Sequence, residues 1–123
     1  MNNFNFSLLS VNVRGINDDR KRRKLFTWLH KQSANVIYLQ ETYSSPQVER
    51  QWATEWGGQI VFAHGSNHSR GVAILFKSKF DYEIEESKAG NEGRYLFIKV
   101  KIQESDFTLL NVYAPNTANC QVN

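Results

Sequence analysis

Residues 36–43, VIYLQETY, join a run of apolar side chains directly to a carboxylate. Val36, Ile37, Tyr38 and Leu39 read as a strand covered on both faces, because a strand with one wet face alternates apolar and polar residues. Gln40 and Glu41 follow with no turn residue to carry them out to solvent. Two further strands end in the same manner. LLSVN ends on Asn12 and leads to Arg14-Gly15, while TLLNVY ends on Tyr113 and leads to Ala114-Pro115-Asn116. If the three are neighbours running one way, their polar ends converge at one edge of a sheet, where open α/β sheets hold ligands. A lone carboxylate there is costly to ionise without compensation, and a bound cation supplies it. Magnesium suits a single carboxylate because it keeps several waters and shares its remaining sites with phosphate. Glu41 alone reads first as a solvated or arginine-paired residue. Convergence of three strand ends sets the two readings level.

Working outward, strands are predicted at about 6–13, 36–41, 59–63, 71–77, 81–87, 94–103 and 106–113. SKAGNEG and ESD read as hairpin turns. Asn17, Asp18 and Asp19 suit a helix N-terminus, and Leu25, Trp28 and Leu29 give the apolar stripe of a helix over residues 18–33. A second helix is marked by Ser45 as cap, Pro46 at its first position, Trp52 and Trp56 on one face, and Gly57-Gly58 at its end. Strands and helices alternate early and strands succeed one another later. This predicts an α/β sheet with helices on one face, partly antiparallel.

At 123 residues, with 41% hydrophobic, 13% aromatic and 22% charged side chains, the chain has the size and composition of one globular domain. No apolar run is long enough to span a membrane, and the single cysteine, Cys120, fits a reducing, intracellular setting. A net charge of +3 permits a polyanionic partner without demanding one. The basic run Arg20-Lys21-Arg22-Arg23-Lys24 reads first as a solvated helix face, with nuclear import or phosphate binding as the functional alternatives.

Five segments in order, LLSVNVRGIN, VIYLQETY, RGVAILF, EGRYLFIKV and TLLNVYAPN, carry a resemblance. Over about residues 6 to 117 the chain resembles the first half of an endonuclease/exonuclease/phosphatase domain. It is most similar to the N-terminal endonuclease of LINE-type (non-LTR) retrotransposon proteins, relatives of exonuclease III and the abasic-site endonucleases. The resemblance implies the N-terminal half of a four-layered α/β/β/α sandwich (DNase I-like fold), incomplete as it stands, over 1–123 as a single partial domain. It implies cleavage of DNA phosphodiesters with magnesium, or manganese as a substitute, nicking DNA in the nucleus for target-primed reverse transcription. Glu41 would then be the metal ligand, with Asn12 orienting the metal shell. Tyr113 and Asn116 would contact the scissile phosphate, and Arg94 matches a position near the site that is either functional or structural. The alternatives are a non-catalytic nucleic-acid-binding module and a phosphatase acting on a small phosphoester.

The resemblance stops before the family's second-half motifs, which supply a further aspartate and the catalytic histidine. None of His30, His64 and His68 matches that histidine. His30 is expected on the helix surface. His64 and His68 are expected in a loop that touches DNA phosphate with Arg70, rather than at a zinc site. The 123 residues alone are therefore expected to lack catalysis and to need the other half as partner. A sandwich divided at its midpoint is also expected to bare the inner face of a sheet.

Overall fold

The computed structural model describes residues 6–66 and 69–114. In chain order the elements are β1 (Leu8–Asn12), α1 (Asp19–Lys31), β2 (Val36–Gln40), α2 (Glu49–Trp56), β3 (Gln59–Ala63), β4 (Val72–Phe76), β5 (Tyr82–Ala89), β6 (Tyr95–Ile102) and β7 (Ser105–Val112). They form two sheets, one of order β1-β2-β4-β3 and one of order β5-β6-β7. β1 and β2 are parallel, with Asn12 opposite Gln40, and every other pairing is antiparallel.

Alternation along the strands makes two cores, one on each face of the first sheet. Ile37, Leu39, Ala73 and Leu75 face Phe26, Leu29, Trp52 and Trp56 of the helices. Val36, Val72, Ile74 and Phe76 face Leu96, Ile98, Val100 and Leu109 of the second sheet. β4 is apolar throughout, and β2 up to Gln40, because each is packed on both sides. The facing sides of β2, β4 and the second sheet are thus covered. On β1, Leu8 pairs with Val36, shares its inward face and is 42% exposed, so the bare inner face expected of a divided sandwich is confined to that edge strand. The other exposed large apolar side chains are Leu110 and Val112 on the outer face of β7 and Trp28 on α1.

Helix α1 begins at Asp18, whose carboxylate accepts a hydrogen bond from the Lys21 backbone N–H at 2.8 Å. Its basic run is not uniformly solvated. Arg22 is only 1% exposed. Its guanidinium donates to Glu55 of α2 at 2.6 and 3.1 Å, to Asp19 at 2.6 Å, and to the carbonyls of Ile16 and Asn17 at 2.9 and 3.1 Å. It also lies 5.1 Å from the centre of the Trp52 ring. Pro46 starts a short 3₁₀ turn, Pro46–Val48, that leads into α2, and Ser45 makes no side-chain cap bond. Gly57 ends α2 in the left-handed conformation, at φ 81°. The β6–β7 turn falls on Gln103 and Glu104, one residue earlier than the ESD reading, since Ile102 pairs with Ser105.

Candidate active site

β1 and β2 end side by side because they are parallel neighbours. β4 and β6 begin at the same end of the molecule, and β7 ends there. Backbone hydrogen bonds stitch these ends together. The Val13, Gly15 and Ile16 N–H groups donate to the carbonyls of Gln40, Glu41 and Thr42 at 3.0, 2.6 and 3.2 Å. Thr42 and Tyr43 donate to the carbonyls of Gly71 and Arg70, both at 3.0 Å. Gly71 donates to Gly93 at 3.2 Å, and Tyr113 to Arg94 at 2.7 Å.

β2 stops at Gln40, and Glu41 takes a left-handed φ of 58°, as Tyr43 does at 59°. That conformation costs a non-glycine residue about 1–2 kcal/mol. It turns the chain sharply, so that the Glu41 side chain is half-buried beside β1 instead of continuing the strand. There Asn12 Nδ2 donates to Glu41 Oε2 at 2.9 Å, while Asn12 Oδ1 accepts from the Arg14 backbone N–H at 3.1 Å. The Asn12 amide orientation is therefore set by the backbone, and it in turn holds one oxygen of the carboxylate. Among the described residues no lysine, arginine or histidine pairs with Glu41. No group of three or more histidine, cysteine, aspartate and glutamate side chains gathers there either. One half-buried carboxylate steadied by an amide, with no ion pair among the described residues, fits a hydrated magnesium ion and not a protein-caged zinc.

The third strand end arrives differently from the sequence expectation. β7 is not a neighbour of β1 and β2 but the edge of the second sheet, so Tyr113 lies on the opposite sheet from Asn12 and Glu41. Its half-buried side chain packs against the core between the sheets. Arg70 and Arg94 do come together, through an acid that sequence reading passed over. Arg94 Nη2 lies 3.0 Å and Arg70 Nη2 3.6 Å from Glu92 Oε1, and Arg70 Nε donates to the Glu92 carbonyl at 3.2 Å. Asn116 and His68 lie outside the described residues.

Two polar networks were also missed. Asn111 is 1% exposed in the middle of TLLNVY. Its Nδ2 donates across the sandwich to the carbonyls of Leu39 and Ala73 at 3.0 and 2.9 Å, and its Oδ1 accepts from Gln40 Nε2 at 2.9 Å. It ties β7 to the residues just before Glu41. An asparagine at an inward position of an otherwise apolar strand was the available signal. The second network runs through His64, which bonds Ser44 Oγ through Nδ1 at 2.8 Å and Glu49 Oε2 through Nε2 at 2.6 Å. Both ring nitrogens are engaged within the chain. His30 stacks on Trp56 with ring centres 4.1 Å apart and donates to the Trp56 carbonyl at 2.7 Å.

Residues 9–120 match the model of the endonuclease/exonuclease/phosphatase family. The chain belongs to that family. The sequence resemblance and the shared motifs are thus accounted for by descent. A Xenopus laevis protein, the transposon TX1 uncharacterized 149 kDa protein, is 32% identical over 111 residues, which is 90% of this chain and 8% of that protein. Among solved structures, an AP endonuclease from Archaeoglobus fulgidus is similar, with a TM-score of 0.66 and 24% identity over 89% of this chain. Truncated Caenorhabditis elegans TDP2 gives a TM-score of 0.62 at 16% identity over 92% of this chain. The chain spans 41% and 46% of those two structures. At such identities the likeness is one of fold, and it is the α/β/β/α sandwich implied by the sequence. The described residues form a helical layer and both sheets.

Proposed function

We propose that this chain supplies the Asn12–Glu41 portion of a divalent-metal-dependent site that hydrolyses phosphodiesters in DNA, as part of a retrotransposon endonuclease. The observation that carries the reading is the Asn12 Nδ2–Glu41 Oε2 hydrogen bond at the joined ends of β1 and β2, with no basic partner on the carboxylate among the described residues. Glu41 and Asn12 would hold the ion, which when bound contributes charge neutralisation at the phosphate and activation of water. Asn12 keeps the carboxylate in one orientation. Tyr113 and Asn116 are proposed to position the scissile phosphate, and Arg70 and Arg94 to meet the backbone of the flanking DNA. Relationship to a transposon protein favours nicking of chromosomal DNA ahead of reverse transcription, in the nucleus.

A manganese titration followed by NMR tests the metal reading. Mn²⁺ is expected to broaden the amide signals of Asn12, Glu41 and Thr42, and not those of the Gln103–Glu104 turn at the opposite end. Glu41→Gln should abolish the effect. Broadening that ignores Glu41→Gln would refute the assignment. Cleavage is proposed for the longer domain; His30 and His64 are committed to contacts within this chain, and His68 lies outside the described residues. Plasmid nicking by the 123 residues alone is expected at background. In a polypeptide that spans the full domain, Glu41→Ala should lower nicking by about 10²–10³-fold, with small phosphoesters left uncut.

A further inference from the structure

His64 and Glu49 have no place in the reading above, yet their hydrogen bonds lead to the turn that carries Glu41. A carboxylate only accepts, so the 2.6 Å contact with Glu49 requires the proton on His64 Nε2. In the neutral ring Nδ1 is then an acceptor, and Ser44 Oγ donates to it at 2.8 Å. Ser44 Oγ accepts in turn from Thr42 Oγ1 at 3.0 Å, and Thr42 Oγ1 accepts from the Ser44 backbone N–H at 3.3 Å. The bonds form one directed series from Thr42 to Ser44, His64 and Glu49. Ser44 and Thr42 are fully buried, so neither hydroxyl has water as a substitute partner.

Thr42 is where the series acts. Its N–H donates to Gly71 and its carbonyl accepts from Ile16. Its hydroxyl sits so close to Gly71 that a Cβ there would lie 2.5 Å from Oγ1. Residues 41 and 43 on either side of it hold the left-handed φ values of 58° and 59°. Such a turn persists only where its surroundings over-determine it. The far end of the series is equally fixed. Glu49 is the first residue of α2, where the helix dipole favours a carboxylate. The His64 ring lies against Phe62, with centres 5.1 Å apart.

We propose that His64, anchored by Glu49, is a positioning residue that acts through Ser44 and Thr42 to hold the Glu41 carboxylate beside Asn12. Its functional meaning rests on Glu41 being the metal ligand. The structural claim does not.

Amide hydrogen exchange on the 123-residue chain provides the test. Ser44→Ala and His64→Ala are expected to cost the Thr42 and Tyr43 amides about tenfold or more in protection, while Ile37 and Ile74 of the first sheet keep theirs. His64→Asn, whose side-chain oxygen can take the Ser44 proton, should restore most of the loss. Nitrogen-15 spectra of the wild type should show His64 protonated on Nε2 and free on Nδ1, which is readable even if a variant fails to fold. Unchanged exchange at Thr42 and Tyr43, an equal loss at every amide, or the opposite tautomer would each overturn the proposal. In the same Ser44→Ala chain, Mn²⁺ should bind at Glu41 about tenfold more weakly. If the wild type binds no Mn²⁺ at all, the metal reading fails, while exchange still decides whether His64 positions the turn.

Discussion

Glu92 stands between Arg70 and Arg94, the two side chains proposed to meet DNA phosphate, and cancels part of their charge. All three are at least partly exposed, so the ion pairs add little to stability. Their effect on a polyanion is larger, because each neutralised arginine is one counterion-releasing contact fewer. Glu92→Gln is therefore expected to tighten DNA binding several-fold at low salt, with the gain vanishing in high salt, as a salt-dependent filter or anisotropy assay would show. Asn111 makes the opposite kind of contribution. Replacement by leucine removes one donor group shared by two carbonyls and leaves Gln40 Nε2 with its 2.9 Å bond to Ser10 Oγ. We expect a loss of about 2 kcal/mol in urea unfolding. Glu41 was legible from sequence because a carboxylate after an apolar run contradicts its surroundings. Glu92 was not, since a glutamate beside Gly93 in a turn violates no pattern. What makes it matter is the approach of Arg70, 22 residues away.

Among the elements, α1 and α2 are joined to the loop after β1 through Arg22. The hydrogen bond from Arg22 holds the Glu55 carboxyl below the ordinary value of 4.5, with burial opposing. A carboxyl depressed in the folded state stabilises the fold above its unfolded value. That contribution is lost as pH falls through the folded value. Arg22→Ala should thus cost about 3 kcal/mol at neutral pH and flatten the loss of stability below pH 4.5, as urea titrations at several pH values would show. Lysine should restore only part, since it cannot serve two carboxylates and two carbonyls with one fork. The periodicity of α1 was readable, yet the burial of one arginine in a run of five basic residues was not. It depends on where α2 brings Glu55. The turn between β6 and β7 offers the reverse experiment. Gln103 and Glu104 sit at φ values of 50° and 71°. Asn-Gly is the natural pair for such a turn, and Gln103→Asn with Glu104→Gly should stabilise the chain by about 1 kcal/mol.

At the scale of the molecule, the first sheet is shared by both cores, so neither core can melt while the other remains. One cooperative urea transition is expected, with a slope of roughly 1–3 kcal/mol/M. Trp52 and Trp56, 2% and 1% exposed, should report it, while iodide should quench Trp28, 46% exposed, before any unfolding. A gradual loss of signal would mean that the two sheets separate independently. Strand order pointed only to a sheet with helices on one face, the sandwich class came from the family resemblance, and the assignment of β7 to a second sheet was not legible. Parallel neighbours and facing sheets leave the same apolar pattern in a strand buried on one side. One end of the sandwich also gathers Arg14, Glu41, Tyr43, Arg70 and Glu92, all non-glycine residues with positive φ. For a laboratory evolution experiment this has a consequence. A library selected for heat resistance alone will tend to collect glycine at these positions, since relief of backbone strain is rewarded there without regard to the carboxylate or the arginines lost. Sequencing such a library would outline this end of the protein by the residues that thermal selection discards, and a parallel selection for DNA binding should preserve them.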